Sequence, residues 1–256
     1  MLIIKATMRK LFATIVFLII QSVVADAQND RFCWSLSPSI QGGMGRIIDE
    51  NISKVPCGGP MVGCGISASA NNGNVEFLGR ISWAYGWLGS HYHIRSATIN
   101  PMGLELGCRT YILSSPKITV RIGGTVGASG YCLYNNYINN INIPYAFQVG
   151  CNSVISFKLA DRWSIFLEDS IILMSLISRS NKYESSARSF WHLSDIAFVP
   201  FPGNDIQLGA SYHLQRGHYI SVYADYYLYL TRTRFPMNID FRHFSLNVGY
   251  SIPISK

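Results

Sequence analysis

The feature that most constrains this chain is a period of two in its hydrophobicity, repeated along most of its length. From Val75 to Trp87, the residues Val75, Phe77, Ile81, Trp83, Tyr85 and Trp87 share one parity, while Glu76, Arg80 and Ser82 share the other. From Ile118 to Cys132, Ile118, Val120, Ile122, Val126 and Ala128 oppose Thr119, Arg121, Thr125 and Ser129. From Tyr145 to Leu159, Tyr145, Phe147, Val149, Ile155, Phe157 and Leu159 oppose Gln148, Asn152, Ser156 and Lys158. Successive side chains of a strand point to opposite faces, so such runs are strands with one apolar face. No segment beyond the N-terminus has the roughly 18 consecutive apolar residues of a spanning helix.

The pattern predicts ten strands, at about 31–41, 61–70, 75–88, 102–113, 117–132, 144–159, 163–176, 205–214, 218–231 and 241–254. Short connections carry Asn71-Asn72-Gly73-Asn74, Ser114-Ser115-Pro116, Ala160-Asp161-Arg162 and Gln215-Arg216-Gly217, residues that favour tight hairpins. The other connections, 42–60, 89–101, 133–143, 177–204 and 232–240, read as long loops, with 190–200 a possible extra hairpin arm. Short and long connections alternate, and an even strand number brings both chain ends to the short-turn side. The expected fold is therefore all-β: an antiparallel transmembrane up-and-down β-barrel of about ten strands.

Alternation alone does not say which face meets solvent. Charged residues make up only 14% of the chain and aromatic residues 13%, and the polar parity is mostly Gly, Ser, Thr, Asn and Tyr rather than Lys and Glu. A water-facing sheet would carry more charge, and a ten-stranded interior would not hold all the rings of the apolar parity. The apolar face should thus meet lipid. Trp83, Tyr85, Trp87 and Tyr145, with Trp163 and Tyr212 at the short-turn end, are expected to form aromatic girdles. A soluble sandwich or lipocalin-like barrel is the opposing reading. Asp169 is a local objection, because it shares the parity of Ile165 and Leu167; a bulge or a place near the rim would remove it from lipid.

Lys5, Arg9 and Lys10 precede an apolar stretch from Leu11 to Ile20, followed by Ala25-Asp26-Ala27. This predicts a cleaved signal peptide over 1–27 and one barrel domain over 28–256. Together with the ten amphipathic strands and the closing run from Phe244 to Ile254, these features resemble Gram-negative outer-membrane β-barrels, over essentially the whole mature chain. Ala160-Asp161-Arg162-Trp163 is similar to the turns of small porin-like barrels of the Bacteroides group. The resemblance implies an outer-membrane location and contact with outer-membrane lipid. One departure is the end of the chain, Ile254-Ser255-Lys256, where many such barrels carry an aromatic residue.

By parity Arg31, Arg80, Arg109, Arg121 and Lys158 point into the lumen, as do Glu76, Glu105, Glu168 and Asp225. Five positive against four negative charges in a narrow barrel should pair and plug it, Arg being suited to bidentate carboxylate contacts; a narrow polar conduit is the alternative. His91 and His93, with His192 and Asp195, lack a fixed metal-ligand spacing. Ser90, His91 and His93 match no hydrolase motif, and the strand ends lack the acidic pair plus His of omptin-type proteases. No catalytic residue, metal site, cofactor or nucleic-acid partner is expected; the net charge of +7 is too thinly spread for the last. Of six cysteines, Cys64, Cys108, Cys132 and Cys151 take the lipid-facing parity, and Cys57 with Cys64 could close a small loop at the rim. Function is expected in the loops, as binding, adhesion or docking to other envelope proteins, with a narrow solute channel or a surface hydrolase on lipid or peptide as rivals.

Overall fold

The computed structural model describes residues 32–50, 53–90, 96–135, 140–142, 144–179, 196–231 and 238–254. The strands are β1 (Cys33–Asp49), β2 (Ser53–Asn71), β3 (Val75–Ser90), β4 (Ser96–Ser114), β5 (Ile118–Asn135), the short β6 (Asn140–Asn142), β7 (Pro144–Lys158), β8 (Trp163–Arg179), β9 (Ile196–His213), β10 (Tyr219–Thr231) and β11 (Ile239–Pro253). The ten long strands pair antiparallel with their neighbours. β1 pairs with β11 as well as β2, and β4 with β5, so the sheet closes into a barrel with β6 appended to the end of β5.

The hairpin chemistry sits where the short turns were expected. Asn72 Oδ1 accepts hydrogen bonds from the backbone N–H groups of Asn74 (3.0 Å) and Val75 (2.8 Å). Gly73 takes φ +88°, a conformation that costs glycine little. At the next short turn, Ser115 Oγ accepts from the Ile118 N–H at 3.0 Å. The candidate signal peptide, 1–27, lies outside the described residues.

Several strands run further than the sequence pattern indicates. Segment 42–60 is not a long loop: β1 continues to Asp49 and β2 starts at Ser53, with Gly43 opposite Met61 and Gly45 opposite Gly59. Close strand approach explains the glycines, since a Cβ on Gly43 would lie 1.9 Å from the Phe244 carbonyl oxygen. Residues 196–200, read as part of a possible extra arm, form the start of β9 against β8. Cys57 is buried inside the barrel and Cys64 is exposed on its outer wall, both on β2, so they do not close a loop. No disulfide joins two cysteines among the described residues.

β11 shows how the faces divide. Ser245, Asn247 and Ser251 are buried in the interior, while Phe244, Leu246, Val248, Tyr250 and Ile252 are exposed on the outer wall. The outward apolar run from Phe244 to Ile252, on a strand tilted by about 40°, gives a band roughly 20 Å tall, most of the roughly 25 Å apolar band of membrane barrels. Above it the facing inverts. Arg46 and Arg242 are directly opposite on the outer wall, whereas Ile47, Ile239 and Phe241 are buried inside. These last belong to an apolar cluster with Met61, Leu88, Ile99, Leu133, Ile177 and Val199, which fills the barrel toward its long-loop end. The strands thus have a lipid-facing section with a polar interior and a protruding section with an apolar one.

Asp169 keeps its outward parity, opposite Ser153 and Ile206. β8 does contain an irregularity, but it lies between Ile172 and Met174, beyond Asp169, and does not turn the carboxylate inward. An acidic group on this wall costs less than a basic one at the same depth.

The band makes a directional prediction. Val248→Arg places a guanidinium in its middle and should lower the stability of the barrel refolded into lipid vesicles by about 2–4 kcal/mol, whereas Arg46→Ala above the band should change it by less than about 1 kcal/mol. Denaturant titration in vesicles checks both.

Candidate functional site

Across the lower half of the lumen, toward the short-turn end, runs a chain of alternating charges. β5 supplies Arg121, whose Nη1 donates to Glu76 Oε2 of β3 at 2.7 Å. The same oxygen lies 3.4 Å from Arg109 Nη1 of β4. Arg109 Nη2 donates to Glu168 Oε1 of β8 at 2.6 Å, and Arg80 Nη2 of β3 reaches that oxygen at 3.1 Å. Asn152 of β7 adds an amide donor to it at 3.0 Å. Arg109 is 3% exposed and sits at the centre. Since β3 and β8 stand four places apart around a ten-stranded wall, the Arg80–Glu168 contact crosses the lumen. The Arg121 guanidinium also lies 5.8 Å from the centre of the Tyr111 ring, within cation–π range.

The remaining charges expected in the lumen are placed differently. Glu105 pairs in register with Arg80 and faces the interior, and Asp225 lines the interior on β10. Lys158 is a correction. Its side chain is half exposed at the end of β7, 3.9 Å from Asp161 in the short turn, and takes no part in the network. A lysine at a strand end has solvent within reach and no reason to bury its ammonium. Arg31 lies outside the described residues. Sequence reasoning missed Asp205, Gln207, Tyr223, Tyr227 and His243, all of which line the interior. Asp205 and Gln207 share the inward parity of β9, and that parity was the signal; Asp205 went unread because it stood at the assumed start of the strand.

Between the charge chain and the apolar cluster lies a cavity of about 230 Å3. Arg80, Glu105, Asp205, Asp225, Tyr223, Tyr227 and His243 are among its lining. Asp205 Oδ1, Asp225 Oδ1 and Glu105 Oε1 are buried with no hydrogen-bond partner. Among the described residues no three His, Cys, Asp or Glu side chains come together in a way that could hold a metal ion.

On the outer wall, Trp83, Trp87 and Trp163 are exposed, and Tyr85, Tyr145 and Tyr212 are partly so. Tyr85 packs edge-on against Trp87 with ring centres 4.7 Å apart; Trp163 and Tyr212 are opposite in register with centres 4.9 Å apart. Ser90 is buried, while His91, His93, His192 and Asp195 lie outside the described residues.

A closed ten-stranded sheet with apolar outer wall and polar lumen is a transmembrane β-barrel of the outer-membrane type. Comparison with a solved structure gives the same fold. The outer-membrane protease OmpT from Escherichia coli superposes with a TM-score of 0.53 at 8% identity, over 88% of this chain and 97% of that one. The translocator domain of the autotransporter NalP from Neisseria meningitidis gives 0.43 at 10% identity, over 94% and 95%. Neisserial surface protein A gives 0.35 at 7% identity, over 85% and 96%. No protein-family model matches the chain, and no curated protein matches it by sequence.

Removing the centre of the charge chain tests its weight. Arg109→Ala leaves Glu76 and Glu168 under-compensated in a buried site and should cost about 3–5 kcal/mol. Arg121→Ala should cost less, because Glu76 keeps Arg109 and Arg121 is itself more exposed. The temperature at which each variant loses its folded electrophoretic mobility ranks the two. Equal losses would contradict the central place given to Arg109.

Proposed function

We propose that this protein is an exported outer-membrane barrel with a closed lumen, and that it works through its surface loops in binding, adhesion or docking to other components of the envelope. The observation that carries this reading is the chain Arg121–Glu76–Arg109–Glu168–Arg80, which ties strands on both sides of the lumen together at hydrogen-bond distance. The apolar cluster fills the lumen at the other end. A barrel obstructed twice is a scaffold, and on a rigid scaffold the connections are where partners are met. The outer lipid bilayer is its immediate environment, through the apolar band and the rings at its edges.

The enclosed cavity favours a second reading, a narrow conduit for small solutes whose two closures open in turn. A hydrolase has less support: the solved protease shares its fold at 8% identity, and fold carries no chemistry by itself.

Planar-bilayer recording separates the two leading readings. The wild-type barrel should show no discrete channel openings. Replacing 180–195 by a short Gly/Ser linker should preserve heat-modifiable mobility while removing envelope proteins that cross-link to the wild type. Regular openings in the wild type would put the conduit first. An unchanged cross-linking pattern would remove function from that connection.

A further inference from the structure

The lumen charges do not balance. Around the charge chain and the cavity three cations, Arg80, Arg109 and Arg121, face five carboxylates, and a sixth, Asp49, is buried nearer the long-loop end, where it accepts from the Tyr131 hydroxyl at 2.8 Å. Glu76 and Glu168 are held by the arginines at 3.4 Å or less. That leaves Glu105, in register beside Arg80, and Asp205 and Asp225, which lie within hydrogen-bonding reach of each other; each of the three keeps one carboxylate oxygen that is buried and unpartnered among the described residues. A buried acceptor with no donor costs stability, more so when it is ionisable. A second, independent group points the same way. His243, 8% exposed, lines the same cavity and makes no hydrogen bond to any described residue.

We propose that this cavity is a binding site for a small organic cation of the guanidinium type, held between Glu105 on one side and Asp205 with Asp225 on the other. The walls set the geometry. β3 and β4 lie opposite β9 and β10 in the barrel order, so the acceptors are distributed around a space rather than gathered at a point. This spacing suits a ligand with several divergent donors and does not suit a bare metal ion, for which no cluster of three ligands exists among the described residues. A guanidinium carries five N–H donors in one plane. Tyr223 and Tyr227 line the same space. A volume of about 230 Å3 limits the occupant to the head group with a short chain. His243 supplies a further polar partner between the acids and the apolar cluster. The site goes beyond the proposed surface role and depends only on the barrel interior, so either can fail without the other.

The test uses the full-length mature barrel, refolded from urea into detergent micelles, and titration calorimetry with methylguanidinium chloride. N-methylurea, its neutral analogue, and sodium chloride at matched ionic strength serve as controls. Saturable heat with methylguanidinium alone is the expected result. Asp225→Asn and Asp205→Asn, each judged folded by its heat-dependent mobility, should weaken the binding by at least about tenfold, equivalent to about 1.4 kcal/mol. If neither aspartate variant folds, Glu105→Gln supplies the same comparison, and the wild-type controls need no variant. Equal heats from methylguanidinium and N-methylurea would mean a cavity filled by water or by any small polar solute, and would overturn the proposal. Wild-type affinity in Asp225→Asn would overturn it too.

Discussion

Closure of the sheet is the constraint on which everything else rests. Inside hydrocarbon there is no water to satisfy a free strand edge, and each unpaired backbone group costs several kcal/mol. Pairing of β1 with β11 and of β4 with β5 leaves no long edge exposed. Once the sheet is closed, the period of two assigns every side chain to lipid or lumen without further choice. Glycine supplies the fine adjustment. At Gly43 a side chain would run into the backbone of β11, so the tight contact of β1 and β11 depends on its absence.

The interior follows from that closure. Arginines and carboxylates forced inward by parity are largely withdrawn from solvent, so they find one another across the lumen, and the alternating order from Arg121 to Arg80 places each carboxylate between two cations. Toward the long-loop end the environment outside changes from lipid to water, and the interior changes with it, from charged to apolar. Arg46 and Arg242 outside, against Ile47 and Phe241 inside, mark that level on β1 and β11. The cavity lies between the two kinds of filling, and it inherits the carboxylates that form no ion pair with the arginines at hydrogen-bond distance.

Much of the fold was legible because a lipid-facing strand must alternate and a tight hairpin must carry Asn, Gly, Ser or Pro. The centres of the ten long strands and the four short turns could be read this way. The protruding ends could not. Around Gly42-Gly43 and Gly58-Gly59 the density of glycine and the change of facing looked like a loop, whereas pairing with neighbouring strands keeps the backbone extended there. The charge chain was only partly legible. Parity places Glu76, Arg80, Arg109, Arg121 and Glu168 inward, but which of them meet depends on strand stagger and barrel diameter, which no local pattern encodes. Lys158 followed the parity yet lies at a strand end with solvent beside it. Asp205, which completes the acidic side of the cavity, was lost with the true start of β9.

The central claim is that the apolar wall meets lipid. Tryptophan fluorescence of the unmodified protein, refolded into vesicles of brominated phospholipid, tests it most directly, because Trp83, Trp87 and Trp163 all lie exposed on that wall. Strong quenching relative to vesicles of unbrominated lipid is the result this account predicts. A folded protein that stays in the aqueous phase with unquenched tryptophan would contradict it and would return the apolar face to the inside of a soluble fold.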